Sequence, residues 1–114
     1  IFNASDKENM IKQAVVDWET HFPGVCNAII ARTRFIDDCL KEAVADGISQ
    51  LVILGAGYDT RAMRFEDLNK TVTVFELDHP STQKKKLERI EKHFKADLSH
   101  IRYISIDFSK EDLG

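Results

Sequence analysis

Gly55-Ala56-Gly57 stands directly after a short apolar run, Leu51-Val52-Ile53-Leu54, and directly before Tyr58-Asp59-Thr60-Arg61. Two glycines in alternation let a chain turn tightly and bring bare backbone against a ligand, because no Cβ intrudes. A helix starting just after such a loop directs unpaired N–H groups and a positive dipole end at that ligand. Asp78 follows 21 positions after Gly57, at the end of the next strand-like run. A carboxylate there can accept hydrogen bonds from both hydroxyls of a ribose. Asp107 ends a third strand-like run, in position for an adenine amino group. The chemistry these residues suggest is recognition of a nucleoside at the carboxyl ends of a sheet. Each also has a plainer reading. The glycine pair serves equally as a tight turn with no ligand, and Asp78 and Asp107 as helix caps.

The third position of the glycine pattern narrows the nucleoside. A dinucleotide fingerprint wants a small third residue, where helix and strand pack closely and a pyrophosphate approaches. Here that position is Thr60. This weakens an NAD reading without removing it, and fits a methionine-bearing nucleoside, which has no pyrophosphate, better. A phosphate-binding Gly-Lys-Ser/Thr pattern is absent from the sequence.

These residues need elements to hold them. Ser5-Asp6-Lys7-Glu8 fits a capping box opening a helix over 5–22, with Ile11, Val15, Trp18 and Phe22 on one apolar face. Pro23-Gly24 ends it, and a second helix is expected over 25–46, with Ile29, Ile36, Leu40 and Val44 inward. Residues 51–54 read as a strand buried on both faces. A short helix over about 59–67, a strand over 72–77, a helix from Pro80 to about Lys95 and a strand over 101–106 follow. Leu87, Ile90 and Phe94 give that last helix its apolar face. Strands alternating with helices imply a parallel, doubly wound α/β sheet. The division expected is helices over 1–47 and a β-α-β-α-β half-sheet over 48–114, in one domain.

Composition excludes several other functions. A net charge of -3 argues against a nucleic-acid partner, since phosphate neutralisation needs a basic excess. Lys84-Lys85-Lys86 is followed by interleaved acids and reads as a solvated helix face. No apolar run approaches the roughly 20 residues of a membrane span. Cys26 and Cys39 have neither disulfide-framework nor zinc spacing, so no metal is expected and reduced thiols favour a cytoplasmic setting.

Three ordered motifs carry a family resemblance. Arg32-Thr33-Arg34-Phe35-Ile36-Asp37-Asp38, Val52 through Ala62 around the glycines, and Phe75-Glu76-Leu77-Asp78-His79-Pro80 together resemble the motif series of the leucine carboxyl methyltransferase family, over about residues 14–108. The resemblance implies the N-terminal half of a Rossmann-like class I methyltransferase fold, two leading helices plus three parallel strands. It implies S-adenosyl-L-methionine as cofactor and an O-methyltransferase activity. Arg32 or Arg34, with Arg32 preferred, matches the family arginine that binds the cofactor carboxylate. Gly55, Ala56 and Gly57 match the loop beside the methionine moiety. Asp78 matches the ribose-binding acid, and Asp107 and Phe108 the pair that brackets adenine. Asp59 and Arg61 match residues that shape the loop through an Asp–Arg contact. Tyr58 is read either as a cofactor contact or as a packed aromatic. His79 is read as lying at the ribose end, not as a base.

The family completes its site after a fourth strand, which these residues do not contain. The first strand is then expected to be an open edge, and the chain a fragment of a longer protein or one whose edge a second copy covers. No catalytic residue is assigned. Methyl transfer from a sulfonium is an in-line displacement that depends on alignment and exclusion of water. A carboxylate acceptor, small or at a protein C-terminus, is already ionised near neutral pH and needs no base, whereas a hydroxyl acceptor benefits from one. A non-catalytic remnant of the fold and an NAD-binding oxidoreductase domain are the competing readings.

Overall fold

A computed structural model describes residues 4–110, less the side chains of residues 69 and 70. The chain forms two compact units, Ile1–Leu40 and Lys41–Gly114. Its elements are α1 (Ala4–His21), α2 (Val25–Ala45), β1 (Gln50–Leu54), α3 (Arg61–Arg64), α4 (Leu68–Thr71), β2 (Thr73–Asp78), α5 (Pro80–His93) and β3 (Ile101–Ser105). This is an α/β architecture with a three-stranded sheet in the order β1-β2-β3, parallel throughout, as a partial Rossmann-like fold requires.

In the first unit, α1 turns into α2 through Pro23-Gly24, with Gly24 at φ +82. The Glu19 carboxylate accepts the N–H groups of Gly24 (2.8 Å) and Cys26 (3.1 Å), satisfying donors that a helix start leaves unpaired. Those two bonds hold the Glu19 carboxyl below its ordinary range. The capping box expected at Ser5 is not formed. The helix already includes Ala4, so Ser5 lies inside it, and Glu8 pairs forward with Lys12 at 3.0 Å. The apolar stripe of α1 is present, yet Ile11, Trp18 and Phe22 are all exposed.

In the second unit the core forms around β2. Val74, Glu76 and Leu77 are buried there, with Val72, Leu68, Ala62 and Ile101 around them. Register pairs Leu54 with Leu77 and Asp78 with Ser105, so the three strands present their carboxyl ends together. β1 is not buried on both faces. Among the described residues it is an edge strand paired only to β2, and alternate residues Val52 and Leu54 are 56% and 58% exposed. The helix expected over 59–67 is shorter, α3 at Arg61–Arg64, and α4 begins beyond it at Leu68. Ala62 and Leu68, both fully buried, are six residues apart and would face different ways on one continuous helix. Phe65 adopts an extended conformation that stops α3, and α4 starts afresh to bring Leu68 inward.

α5 differs from expectation in the face it buries. Leu87 and Phe94 are exposed, while Gln83 and Lys86 are buried. Gln83 donates to the Ile104 carbonyl (3.1 Å) and accepts from the Ser105 hydroxyl (2.6 Å), so a polar side chain fastens this helix to β3.

Candidate functional site

The loop after β1 is shaped by backbone conformation that glycine alone adopts freely. Gly55 and Gly57 have φ of +61 and +51. A Cβ on Gly55 would meet no atom within 4 Å, so open space lies over the loop. Between the glycines, Ala56 is buried and its N–H donates to the Leu77 carbonyl at 3.1 Å. Asp59 N–H donates to the Ala56 carbonyl at 2.8 Å and closes the turn.

Asp78 ties this loop to β2. Its Oδ2 accepts the Gly57 N–H at 2.8 Å and its Oδ1 the His79 N–H at 2.8 Å. Each oxygen retains acceptor capacity, because a carboxylate has about four lone-pair sites. Asp78 does not cap α5. That role falls to His79, whose Nδ1 accepts from the Ser81 N–H at 3.3 Å. The same Nδ1 lies 2.8 Å from the Ser81 hydroxyl. Nε2 stands 3.7 Å from the Asp107 carboxylate.

Asp107 follows β3, beside Ile106, whose N–H donates to the Asp78 carbonyl at 2.9 Å. The Asp107 carboxylate accepts from the Ser109 hydroxyl (2.6 Å) and N–H (3.1 Å) and pairs with Lys110 at 3.1 Å. The Ser109 bonds, then Lys110, hold its carboxyl below the usual range. The Phe108 ring beside it is exposed. Asp78, the glycine loop and Asp107-Phe108 are therefore gathered at one end of the sheet.

Around the loop, Asp59 and Arg61 make the expected contact. Asp59 Oδ1 accepts the Arg61 N–H at 2.7 Å, and Oδ2 pairs with the Arg61 guanidinium. This bond corrects the picture of a helix start offering free N–H groups. α3 has four residues, too few for a substantial dipole, and its first N–H is already taken. The Tyr58 ring is half exposed and carries the Arg89 guanidinium 4.7 Å from its centre. In the first unit, Arg32 and Arg34 are both exposed on α2. The Arg34 Nε donates to both Asp38 oxygens, at 3.0 and 2.9 Å.

The sequence reading missed a buried ion pair below the loop. Lys86 and Glu76 are 4% and 1% exposed, and the Lys86 ammonium is bonded to Glu76 Oε2 and, at 2.7 Å, to the Asp59 carbonyl. Burial pushes the Glu76 carboxyl up against the pull of Lys86. Among the described residues, Glu76 Oε1 and the Tyr103 hydroxyl are buried without a hydrogen-bond partner. Register sets these two residues side by side, and burial with the nearby Glu76 charge raises Tyr103 to about 12. Two signals could have found the pair. Gln83 and Lys86 share a helix face at a spacing of three, and Glu76 shares a strand face with Asp78.

A profile described as leucine carboxyl methyltransferase matches residues 2–114. A Mycolicibacterium vanbaalenii protein is 38% identical over 100 residues, covering 86% of this chain and 34% of that protein. YktD of Bacillus subtilis is 35% identical over 81 residues, covering 71% of this chain and 27% of its own length. A Mycobacterium avium protein is 45% identical over 83 residues, with 70% and 25% covered. All three are provisionally named S-adenosyl-L-methionine-dependent methyltransferases. The chain spans between a quarter and about a third of the length of these relatives. A glycine loop fastened to an acid at the end of β2, in a parallel half-sheet, accompanies a profile match over nearly the whole chain: the chain belongs to the leucine carboxyl methyltransferase family.

Proposed function

We propose that this chain provides most of the donor site of an S-adenosyl-L-methionine-dependent O-methyltransferase. The observation that carries the reading is the Gly57–Asp78 hydrogen bond, which joins the loop and the acid at the carboxyl ends of β1 and β2. The residues present fit that cofactor. Space is open over Gly55, Asp78 has acceptor capacity to spare, and the exposed Phe108 ring lies next to Asp107. In this reading Asp78 holds the ribose hydroxyls, Asp107 the adenine amino group and Phe108 the adenine face. Gly55, Ala56, Gly57 and Tyr58 line the methionine portion, and the family resemblance matches Arg32 to the arginine for the cofactor carboxylate. Arg34 is the poorer choice, since its Nε is already committed to Asp38.

The bound cofactor supplies an electrophilic methyl group on a sulfonium. The chain's residues orient it and exclude water, which is the main requirement of an in-line displacement. The acceptor is a carboxylate or hydroxyl oxygen, on a small molecule or at a protein C-terminus. With no base assigned here, a carboxylate is the simpler acceptor, because it is ionised near neutral pH. The setting is cytoplasmic, consistent with the free thiols Cys26 and Cys39. No helix among the described residues is long and apolar enough to cross a membrane. The open edge of β1 is suited to pairing with a further strand, of this protein or of a second copy.

Calorimetric titration with S-adenosylhomocysteine, with NAD as control, tests the donor site. The homocysteine compound binds and NAD does not. Asp78→Ala weakens binding by about 10-fold or more, as loss of a charge-assisted hydrogen bond would. Binding of NAD alone would instead support an oxidoreductase domain, and a folded chain that binds neither would sink the donor-site reading.

A further inference from the structure

We infer that Lys86 is a positioning residue for the glycine loop, acting with Glu76 as the second of two anchors that β2 places under it. This rests on the donor-site reading above. Successive side chains of a strand alternate between its two faces. Glu76 and Asp78 are two residues apart on β2 and project to the same face. Asp78 reaches the loop directly, through the Gly57 N–H at 2.8 Å. Glu76 reaches it through Lys86, whose ammonium donates to the Asp59 carbonyl at 2.7 Å. One anchor therefore takes a backbone donor and the other serves a backbone acceptor, two residues further on. Between them, the Asp59 N–H closes the turn onto the Ala56 carbonyl. The stretch from Gly57 to Asp59 is gripped at both ends, and the left-handed Gly57 is one of the two gripped residues.

The cost of this arrangement supports a positioning role. Two charges removed from water are stabilising only with good geometry, and apolar residues of similar volume often serve a core equally well or better. Glu76 even keeps one buried oxygen unpartnered. What an apolar pair cannot supply is a donor for the Asp59 carbonyl, which would then be left unsatisfied. The network spends its burial on that one contact with the loop.

The test replaces the pair so that no charge is stranded. In Glu76→Gln/Lys86→Met the ion pair and the donor to Asp59 are both gone. In Glu76→Gln/Lys86→Gln the charges are gone but an amide donor is restored. Each chain is titrated with S-adenosylhomocysteine, and amide hydrogen exchange at Gly57 and Asp59 is followed without ligand. The Met variant is expected to bind about 10-fold more weakly and to exchange about 10-fold faster at those two amides, while core amides of β2 keep their protection. The Gln variant should recover most of both losses, which a merely space-filling role would not produce. Unchanged binding and unchanged loop exchange in a folded Met variant would overturn the inference. If the unsubstituted chain fails to bind the homocysteine compound, the donor-site reading falls on its own, and the exchange rates still decide whether Lys86 holds the loop.

Discussion

The helical unit and the sheet unit treat their polar and apolar residues in opposite ways. Ile11 and Trp18 on α1 and Phe22 just after it are exposed, and the charged pairs Glu8–Lys12 and, on α2, Arg34–Asp38 are also at the surface. In the sheet unit, Glu76, Gln83 and Lys86 are buried beside Val74 and Leu68. Surface ion pairs contribute little, about 0–1 kcal/mol, so those of the helices need no special explanation. Buried polar groups are expensive unless bonded, and here most of their bonds lead to backbone of the glycine loop or of strands that border it. The difference teaches that apolar periodicity locates helices, whereas buried polarity marks where this fold has something to hold in place.

The sharpest way to break that comparison is to truncate one apolar side chain in each unit. Leu68 is fully buried, and Leu68→Ala should cost about 3 kcal/mol from lost burial and the cavity left behind. Phe22 is 65% exposed, and Phe22→Ala should stay within about 0.5 kcal/mol. Urea unfolding of this chain followed by circular dichroism measures both. Equal losses would mean that Phe22 is packed as tightly as Leu68, and the contrast between the units would fail.

A smaller effect separates conformation from space within the loop. Gly57 has φ +51, and a Cβ there would have the Gly55 carbonyl oxygen 3.8 Å away, an ordinary contact. Gly57→Ala should therefore cost only the left-handed conformation, about 1 to 2 kcal/mol, read as a lowered midpoint of thermal unfolding. A much larger loss would show that the Asp78 bond to the Gly57 N–H breaks as well.

These same residues show what was legible in the sequence. The glycine loop, the strands and the position of Asp78 could be read because turn chemistry and apolar runs are local signals. The reading failed where tertiary packing outranked local pattern. Lys86 sits in a basic run that reads as solvent-facing, yet only its ammonium can serve both Glu76 and the Asp59 carbonyl. The helix expected over 59–67 shrinks to Arg61–Arg64 because Phe65 turns extended, and buried Leu68 opens a separate helix beyond that range. β1 reads as doubly buried because its run is wholly apolar, but only the face of Leu51 and Ile53 is partly covered, and Val52 and Leu54 on the other face are exposed. Ser5 begins a valid capping box, and the helix simply starts before it.

The smallest expected effect lies at the junction of α1 and α2, where a carboxylate does for the helical unit what Asp78 does for the loop. Glu19 accepts two backbone N–H groups, and these hold its carboxyl below the ordinary value of 4.5. A folded-state value below the unfolded one means that the stabilisation is fully present above the unfolded value. It is lost as pH falls through the folded one. Helical circular dichroism should therefore show an acid-side loss beginning below pH 4.5 that Glu19→Gln diminishes, since the amide oxygen still accepts but no longer titrates. The Asp107 carboxyl, also held low, titrates in the sheet unit and should persist in that variant as a separate acid-side change. An acid profile identical with and without Glu19 would place the whole transition in the sheet unit and leave the helical turn held by Pro23-Gly24 geometry alone.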